Sequence, residues 1–145
     1  MNIADLYERD LEKLAKEISL YKNENDLWKA KEGIINPGGN LAVHIIGSVN
    51  YFVGSILGNT GYVRDRDGEF SVKNISREQI LADLENAKKM AVKVLSAIPE
   101  EEMKKEYPIK IAGQTSPVRD TLVFFLAHLN YHLGQLNYLR RMIDN

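Results

Sequence analysis

Residues 116–142 read SPVRDTLVFFLAHLNYHLGQLNYLRRM, and this stretch decides the fold. Its length and its apolar content predict one long helix. Pro117 stands at the first helical position, where proline is favoured. Arg140 and Arg141 fall in the last turn, where the helix dipole favours cations. The sequence therefore predicts a long C-terminal helix.

Two of the three histidines of the chain, His128 and His132, lie four residues apart within this helix. Side chains at that spacing stack on one face, at about 5–6 Å between Cβ atoms. Two imidazoles so placed can bind a single metal ion. Thr121 and Gln135 fall close to the same line, because each residue turns an α-helix by about 100°. The spacing predicts a metal-binding face on this helix.

Three further periodic stretches precede this helix, at residues 3–22, 40–57 and 76–98. Asn40 is the expected N-cap of the second stretch, and Ser76 begins a capping-box pattern in the third. Residues 58–75 and 99–115 lack helical periodicity, and the latter favours one short hairpin. The pattern predicts an all-α four-helix bundle with a long irregular connection between helices two and three. Its predicted core contains Leu14, Ile18, Ile45, Leu84, Ala91, Val94, Phe124 and Leu136.

Composition narrows the class of protein. The chain has 145 residues, 44% of them hydrophobic, which suffices for one domain over residues 1–145. Its 19 basic and 20 acidic residues give a net charge of −1, so it lacks the basic footprint of a nucleic-acid-binding protein. The first ten residues are charged, unlike a signal peptide, and no apolar run approaches the roughly 20 residues that span a bilayer. We expect a cytoplasmic protein that binds neither nucleic acid nor membrane.

The third histidine, His44, lies on the predicted second helix. It shares a narrow polar stripe with Asn40, Ser48, Tyr51 and Ser55 on a helix that is otherwise apolar. Buried without partners, such groups cost about 1–3 kcal/mol each, whereas a metal ion and a substrate would satisfy them together. Two plainer interpretations stay open: a core histidine hydrogen-bonded to a carbonyl group, and a chance pair of histidines. All three histidines fall on interior faces, which favours one shared site.

Two known kinds of helical metal site are excluded. A carboxylate-bridged di-iron centre needs Glu-x-x-His on its helices, and no histidine here has a glutamate three residues before it. A zinc protease needs His-Glu-x-x-His, whereas Leu129 follows His128. The predicted site is a three-histidine centre with open coordination positions, which is typical of a catalytic ion.

Three segments of the sequence together resemble the DinB/YfiT-like superfamily of metal-dependent proteins. They are residues 40–44 (NLAVH), 62–70 (YVRDRDGEF) and 127–135 (AHLNYHLGQ). The resemblance covers essentially the whole chain. It implies a four-helix bundle with an unusual connection order and a divalent ion, nickel or zinc, held by His44, His128 and His132.

Characterised members of that superfamily include bacillithiol S-transferases and a mycothiol-dependent maleylpyruvate isomerase, and many members are dimers. The resemblance implies a homodimeric transferase, or a related hydrolase, in which the ion holds an external low-molecular-weight thiol as thiolate and directs it at an electrophile. The absence of cysteine fits, because no protein thiol competes for the ion. Gln135, Tyr51 and Ser48 are candidates for orienting the substrate, and Arg64 and Arg66 are candidate anion contacts for the thiol.

A second hypothesis is a metal-stabilised stress-response or binding module without turnover. The ion would then only tie the second helix to the fourth, and the charged run from Arg64 to Asp67 would be a solvated loop. A structural zinc ion is usually closed by four protein ligands. Only three histidines exist, so closure would need a carboxylate such as Asp10. A fourth protein ligand therefore distinguishes the two hypotheses.

Overall fold

The computed structural model describes residues 1–144. Its four long helices are Ile3–Leu20 (α1), Gly38–Gly58 (α2), Arg77–Ala97 (α4) and Val118–Ile143 (α6). Two short α-helices, Arg66–Ser71 (α3) and Glu100–Met103 (α5), and one 3-10 helix, Glu24–Trp28, lie in the connections. The β pairing within the described residues consists of two isolated bridges, Glu106 with Pro117 and Ile111 with Gln114, so the predicted hairpin is not built from strands. The all-α class with four long helices is confirmed.

Helix α2 is the central helix of the bundle. Every residue from Gly38 to Val49 except Val43 is buried, and the helix packs against α3, α4 and α6. By length and hydropathy it could cross a membrane, which contradicts our expectation that no apolar run is long enough. In the fold, 56% of its most apolar window is buried against the rest of the protein, as in a core helix.

The backbone of α2 changes geometry in its second half. It is α-helical over Gly38–Val49, π-helical over Asn50–Ser55 and α-helical again over Ile56–Gly58. A π segment shifts the backbone hydrogen bonds by one residue, and such segments are frequent at functional sites. Tyr107 supports this one, because its hydroxyl donates a 2.6 Å hydrogen bond to the carbonyl oxygen of Phe52. An ideal α-helix would place Tyr51 and Ser55 on the same stripe as His44. The π segment breaks this periodicity after Val49.

The predicted start of α2 is wrong. Pro37 is the N-cap, and the helix begins at Gly38 rather than after Asn40. Asn40 is fully buried, and its amide donates hydrogen bonds to the carbonyl oxygens of Glu69 and Val72. It is thus a tertiary anchor for the connection that follows α2, which local sequence rules do not predict.

Two predicted core residues are not fully buried. Phe124 is 55% exposed, because α6 is apolar on more than one face and its neighbours Leu122 and Phe125 occupy the inner positions. Val94 is only half-buried against the core. The other predicted core residues are buried.

The connection between α2 and α4 is more ordered than predicted. It contains α3, which Asp65 caps by accepting a 3.0 Å hydrogen bond from the backbone N–H of Gly68. Helix α3 packs on α2. This contact brings Glu69 of α3 against the histidine-bearing face of α2.

Candidate metal centre

The three histidines predicted as ligands come together in the structure. One ring nitrogen of each lies within 4.8 Å of the other two. The Nε2 atom of His128 is 3.1 Å from Nε2 of His44 and 3.1 Å from Nε2 of His132. Two nitrogens bound at about 2.0–2.1 Å to one ion, at angles near 90–110°, are about 2.9–3.4 Å apart. The spacing of the histidine nitrogens therefore fits a single ion.

Packing of two helices brings the histidines together. His44 is buried on α2, whereas His128 and His132 are half-buried on successive turns of α6. Because α2 and α6 pack directly, His44 meets the pair from the opposite side. The histidine cluster is thus buried on the α2 side and partly open to solvent on the α6 side.

Hydrogen bonds at the other ring nitrogens fix how two histidines face the centre. Nδ1 of His44 lies 3.0 Å from a carboxylate oxygen of Glu69, which can only accept, so Nδ1 donates. Nδ1 of His132 likewise donates to the side-chain oxygen of Gln135 at 2.7 Å. When these two rings are neutral, Nε2 of His44 and Nε2 of His132 both point a lone pair at Nε2 of His128. That atom carries at most one hydrogen, so it can donate to only one of them. A cation at the centre would satisfy all three nitrogens.

The electrostatic surroundings keep the α6 histidines neutral. Burial, together with the nearby charges of the other histidines, Arg64 and Arg66, lowers the pKa of His128 to about 4. Burial also lowers the pKa of His132, against the hydrogen bond to Gln135. At pH 7 both imidazoles are therefore in the form that binds metal ions.

Aromatic rings and two arginines surround the centre. The ring of Phe70 lies 4.6 Å from that of His44, and Phe52 stacks on Phe125 at 3.8 Å between centroids. The guanidinium of Arg64 lies over Phe52, and that of Arg66 over Phe70, each at 5.5 Å from the ring centroid. The walls of the site are thus largely aromatic, with the exposed guanidinium of Arg66 at the rim.

The three residues predicted to orient a substrate differ in how directly they contact the histidines. Gln135 contacts His132 directly. Ser48 is buried and lines a small cavity together with His128. Tyr51 packs edge-on against Phe52, and among residues 1–144 it has no hydrogen bond to a histidine. The roles of these three residues stay predictions.

The two predicted anion contacts differ in availability. Arg64 is almost buried, and its Nε and Nη2 each lie 3.0 Å from a carboxylate oxygen of Glu69. Arg66 is exposed, and its guanidinium lies over Phe70 without a side-chain hydrogen bond to residues 1–144. Asp10, the candidate fourth ligand, instead accepts hydrogen bonds from Arg9 and Asn130 and does not join the histidine cluster.

Sequence reasoning missed Glu69. Its hydrogen bond orients His44, and its position depends on α3 folding back onto α2. Although burial opposes ionisation, hydrogen bonds with His44 and Arg64 and the charge of Arg64 keep the pKa of Glu69 below its usual value. Glu69 lies in the 62–70 segment that carries the resemblance. That segment contains three acidic residues, Asp65, Asp67 and Glu69, and no local pattern distinguishes Glu69 from the other two.

Comparison with known proteins agrees with the fold. The structure is similar to the crystal structure, at 2.01 Å resolution, of a DinB-like protein from Bacillus cereus ATCC 10987, with a TM-score of 0.70 and 19% sequence identity over 92% of this chain and 85% of that one. At this identity the similarity shows the fold alone, which is therefore DinB-like. No curated protein matches the chain. The family model described as "Protein of unknown function (DUF1572)" matches residues 9–145, so the chain belongs to the DUF1572 family.

Proposed function

We propose that this protein is an enzyme that binds one nickel or zinc ion at His44, His128 and His132 and transfers an external thiol to an electrophile. The supporting observation is the convergence of three imidazole nitrogens, with no fourth protein ligand among residues 1–144, at a site that is half-exposed. Such a ligand set suits nickel and zinc and leaves coordination positions free. A divalent ion there would lower the pKa of a thiol, or of water in a hydrolase variant, and so supply a nucleophile at neutral pH.

The chain itself would orient the ligands and exclude water. Glu69 and Gln135 hold the rings of His44 and His132, and the phenyl rings of Phe52 and Phe70 shield the inner side of the site. A cleft of about 390 Å³ reaches Gln135 from the surface. It is lined by Gly33, Ile34, Ile35, Asn36, Leu41, Gln135, Tyr138, Leu139 and Met142. We place the organic part of the substrate there.

Arg66 is the stronger candidate for binding a carboxylate of the thiol. Its guanidinium lies over Phe70, whose ring contacts His44, so it is close to the centre and exposed. The predicted contact from Arg64 would depend on its remaining Nη1 group, since Nε and Nη2 pair with Glu69. The cytoplasm, which keeps thiols reduced, is the compartment that suits this chemistry.

We also propose that the protein is a homodimer paired through one face of α6. This face, which we call the α6 seam, consists of residues at heptad a and d positions, all of them exposed. They are Asp120, Phe124, Ala127, Tyr131, Gly134, Tyr138 and Arg141. Tyr131 and Tyr138 are 65% and 67% exposed. A Cβ atom at Gly134 would meet nothing within 4 Å, so the fold itself gives no reason for a mid-helix glycine that costs about 1 kcal/mol relative to alanine.

The α6 seam is complementary to itself in the antiparallel sense. With a two-fold axis near Tyr131, Phe124 would face the partner subunit's Tyr138, and Asp120 would face the partner subunit's Arg141. The small residues Ala127 and Gly134 would also face each other, which allows close approach of the helices. A surface patch of this kind is what a two-fold interface requires.

Turnover would test the enzymatic proposal. Metal-loaded wild type and the His132→Ala variant would be assayed with bacillithiol, mycothiol, glutathione and cysteine, using 1-chloro-2,4-dinitrobenzene as the electrophile. We expect thiol-dependent product formation by the loaded wild type only. Equal rates for the two proteins with every thiol would contradict S-transfer to this electrophile and favour the metal-stabilised binding module or the hydrolase.

A further inference from the structure

Glu69 lies where the irregular connection meets the metal centre. It is 4% exposed, although it belongs to a six-residue helix on the surface of the bundle. One carboxylate oxygen lies 3.0 Å from Nδ1 of His44. A buried carboxylate at this position fixes the tautomer and the orientation of the ring whose Nε2 faces the other histidines.

The carboxylate of Glu69 is itself held from several sides. Arg64 approaches with Nε and Nη2 at 3.0 Å from the two oxygens, which is a bidentate pair. The backbone around Glu69 is tied to α2, because the amide of Asn40 donates to the carbonyl oxygens of Glu69 and Val72 at 3.1 and 2.8 Å. The ammonium group of Lys73 donates a 2.9 Å hydrogen bond to the side-chain oxygen of Asn40. The position of the carboxylate is thus determined by side chains of the connection and of α2.

Gly47 provides the space that the carboxylate occupies. It lies on α2, one turn after His44, and a Cβ atom there would collide with the carboxylate of Glu69. A glycine inside a helix is less favourable than alanine by about 1 kcal/mol. The cradle for Glu69 therefore explains why this buried helical position is glycine.

We infer that Glu69 is a positioning residue for His44, and that Arg64 and Gly47 hold its carboxylate in place, so that the connection between α2 and α4 sets the affinity of the histidine centre for its ion. This inference rests on the proposed metal centre. It assigns Arg64 a role in orienting a ligand, in addition to any contact with a thiol. The folded conformation of residues 64–73 and the affinity of the metal site then depend on each other.

Cobalt(II) titration of the full-length metal-free protein would test the inference, since the d–d spectrum reports both affinity and ligand geometry. We expect Glu69→Gln and Arg64→Ala to bind cobalt(II) about 10–100-fold more weakly than wild type, the usual effect of losing a partner of a metal-binding histidine. The matched control is Asp67→Asn, which removes an exposed carboxylate from the same short helix. Its affinity and spectrum should equal those of wild type.

Gly47→Ala tests the mechanism without removing any polar group. It should weaken cobalt(II) binding in the wild-type background and have little further effect in the Glu69→Ala background, because it acts through the carboxylate. Circular dichroism would verify that each variant is folded, and a variant that fails to fold would be replaced by Glu69→Asp, for which weaker binding and a shifted d–d spectrum are expected.

The outcomes separate the inference from the proposed function. If wild type binds cobalt(II) and folded Glu69→Gln or Glu69→Asp binds it with the same affinity and spectrum, the inference is wrong while the metal centre stands. If wild type itself binds no cobalt(II), the proposed metal centre is wrong and the inference falls with it. Equal losses for the Asp67 control would show a general effect of charge and would also overturn the inference.

Discussion

His128 links the two halves of the centre, because its Nε2 atom is the one that faces both other histidines at 3.1 Å. The neighbouring residues make different kinds of contact with the histidines. Glu69 and Gln135 are hydrogen-bonded to ring nitrogens of His44 and His132, the ring of Phe70 packs on that of His44, and Arg66 faces solvent over Phe70. Arg66 is thus the exposed cation beside the histidine cluster, and its contact with a thiol stays a prediction.

Replacing Arg66 with alanine should weaken binding of the thiol. We expect the apparent KM for a carboxylate-bearing thiol to rise about tenfold, with metal content unchanged, because a charge-assisted hydrogen bond worth about 1.5 kcal/mol or more would be lost. Steady-state kinetics with metal-loaded protein would measure this. A cysteamine substrate, which lacks the carboxylate, is the control, and its KM should not change. A KM for the carboxylate-bearing thiol equal to that of wild type would contradict this role of Arg66.

Residue spacing predicted the histidines but not their partners. His128 and His132 are one turn apart on a single helix, so their common face follows from helix geometry alone. His44 could be added because it lies in a polar line on an apolar helix. Glu69 and the pairing of Arg64 could not, since both depend on how the connection folds over α2.

The contact between α1 and α6 is held at its centre by Asp10. Its carboxylate is fully buried and accepts 2.7 Å hydrogen bonds from Arg9 and from Asn130 of α6. Although burial opposes ionisation, these hydrogen bonds and the charges of Arg9 and Lys13 keep the pKa of Asp10 below its usual value. The ionised form is therefore favoured in the folded state.

Asp10→Ala should lower the free energy of unfolding by about 1–3 kcal/mol at pH 7, because the amide of Asn130 loses its buried acceptor. The pKa is lower in the folded state, so the contribution of Asp10 is complete above pH ~4 and is lost as the pH falls through the folded-state pKa. Urea unfolding at pH 7 and pH 3 would measure this. Glu12→Ala, at an exposed position of α1, is the control. A wild-type advantage that persists unchanged at pH 3 would contradict the prediction.

Whole helices were predictable, and the departures from them come from contacts with residues distant in sequence. The capping box at Ser76 and the proline before α6 marked helix starts correctly to within a few residues. The π segment of α2 could not be predicted, because Tyr107 supports it from a distant connection. Asn40 looks like an N-cap by residue type, yet it is drawn into the interior by Glu69 and Val72.

At the scale of the whole molecule, the α6 seam exposes three aromatic side chains, Phe124, Tyr131 and Tyr138, that the other described residues do not cover. The α6 seam lies beside the histidine cluster, since the ring of Tyr131 meets that of His132 edge-on at 5.3 Å between centroids. Tyr138 of the seam also lines the cleft that reaches Gln135, so a second copy on this face would form part of the rim of that cleft. Dimerisation and access to the centre are then properties of the same surface.

Tyr131→Lys should convert the protein from dimer to monomer, because two cations would meet at the two-fold axis. Sedimentation equilibrium would measure the mass, with Val63→Lys, an exposed apolar residue off the seam, as the control. Asp120→Arg and Arg141→Asp should each weaken the dimer, and the double variant should restore it by exchanging the charges. A wild-type monomer at micromolar concentration would contradict the antiparallel arrangement.

The measurement that tests the central claim most directly is the metal stoichiometry of untagged protein, by elemental analysis after equilibrium dialysis against nickel or zinc. Wild type should retain one ion per chain, and His44→Ala, His128→Ala and His132→Ala should each lose stoichiometric binding while remaining folded. Retention of a full equivalent by His128→Ala would contradict the claim that the three histidines form one metal centre.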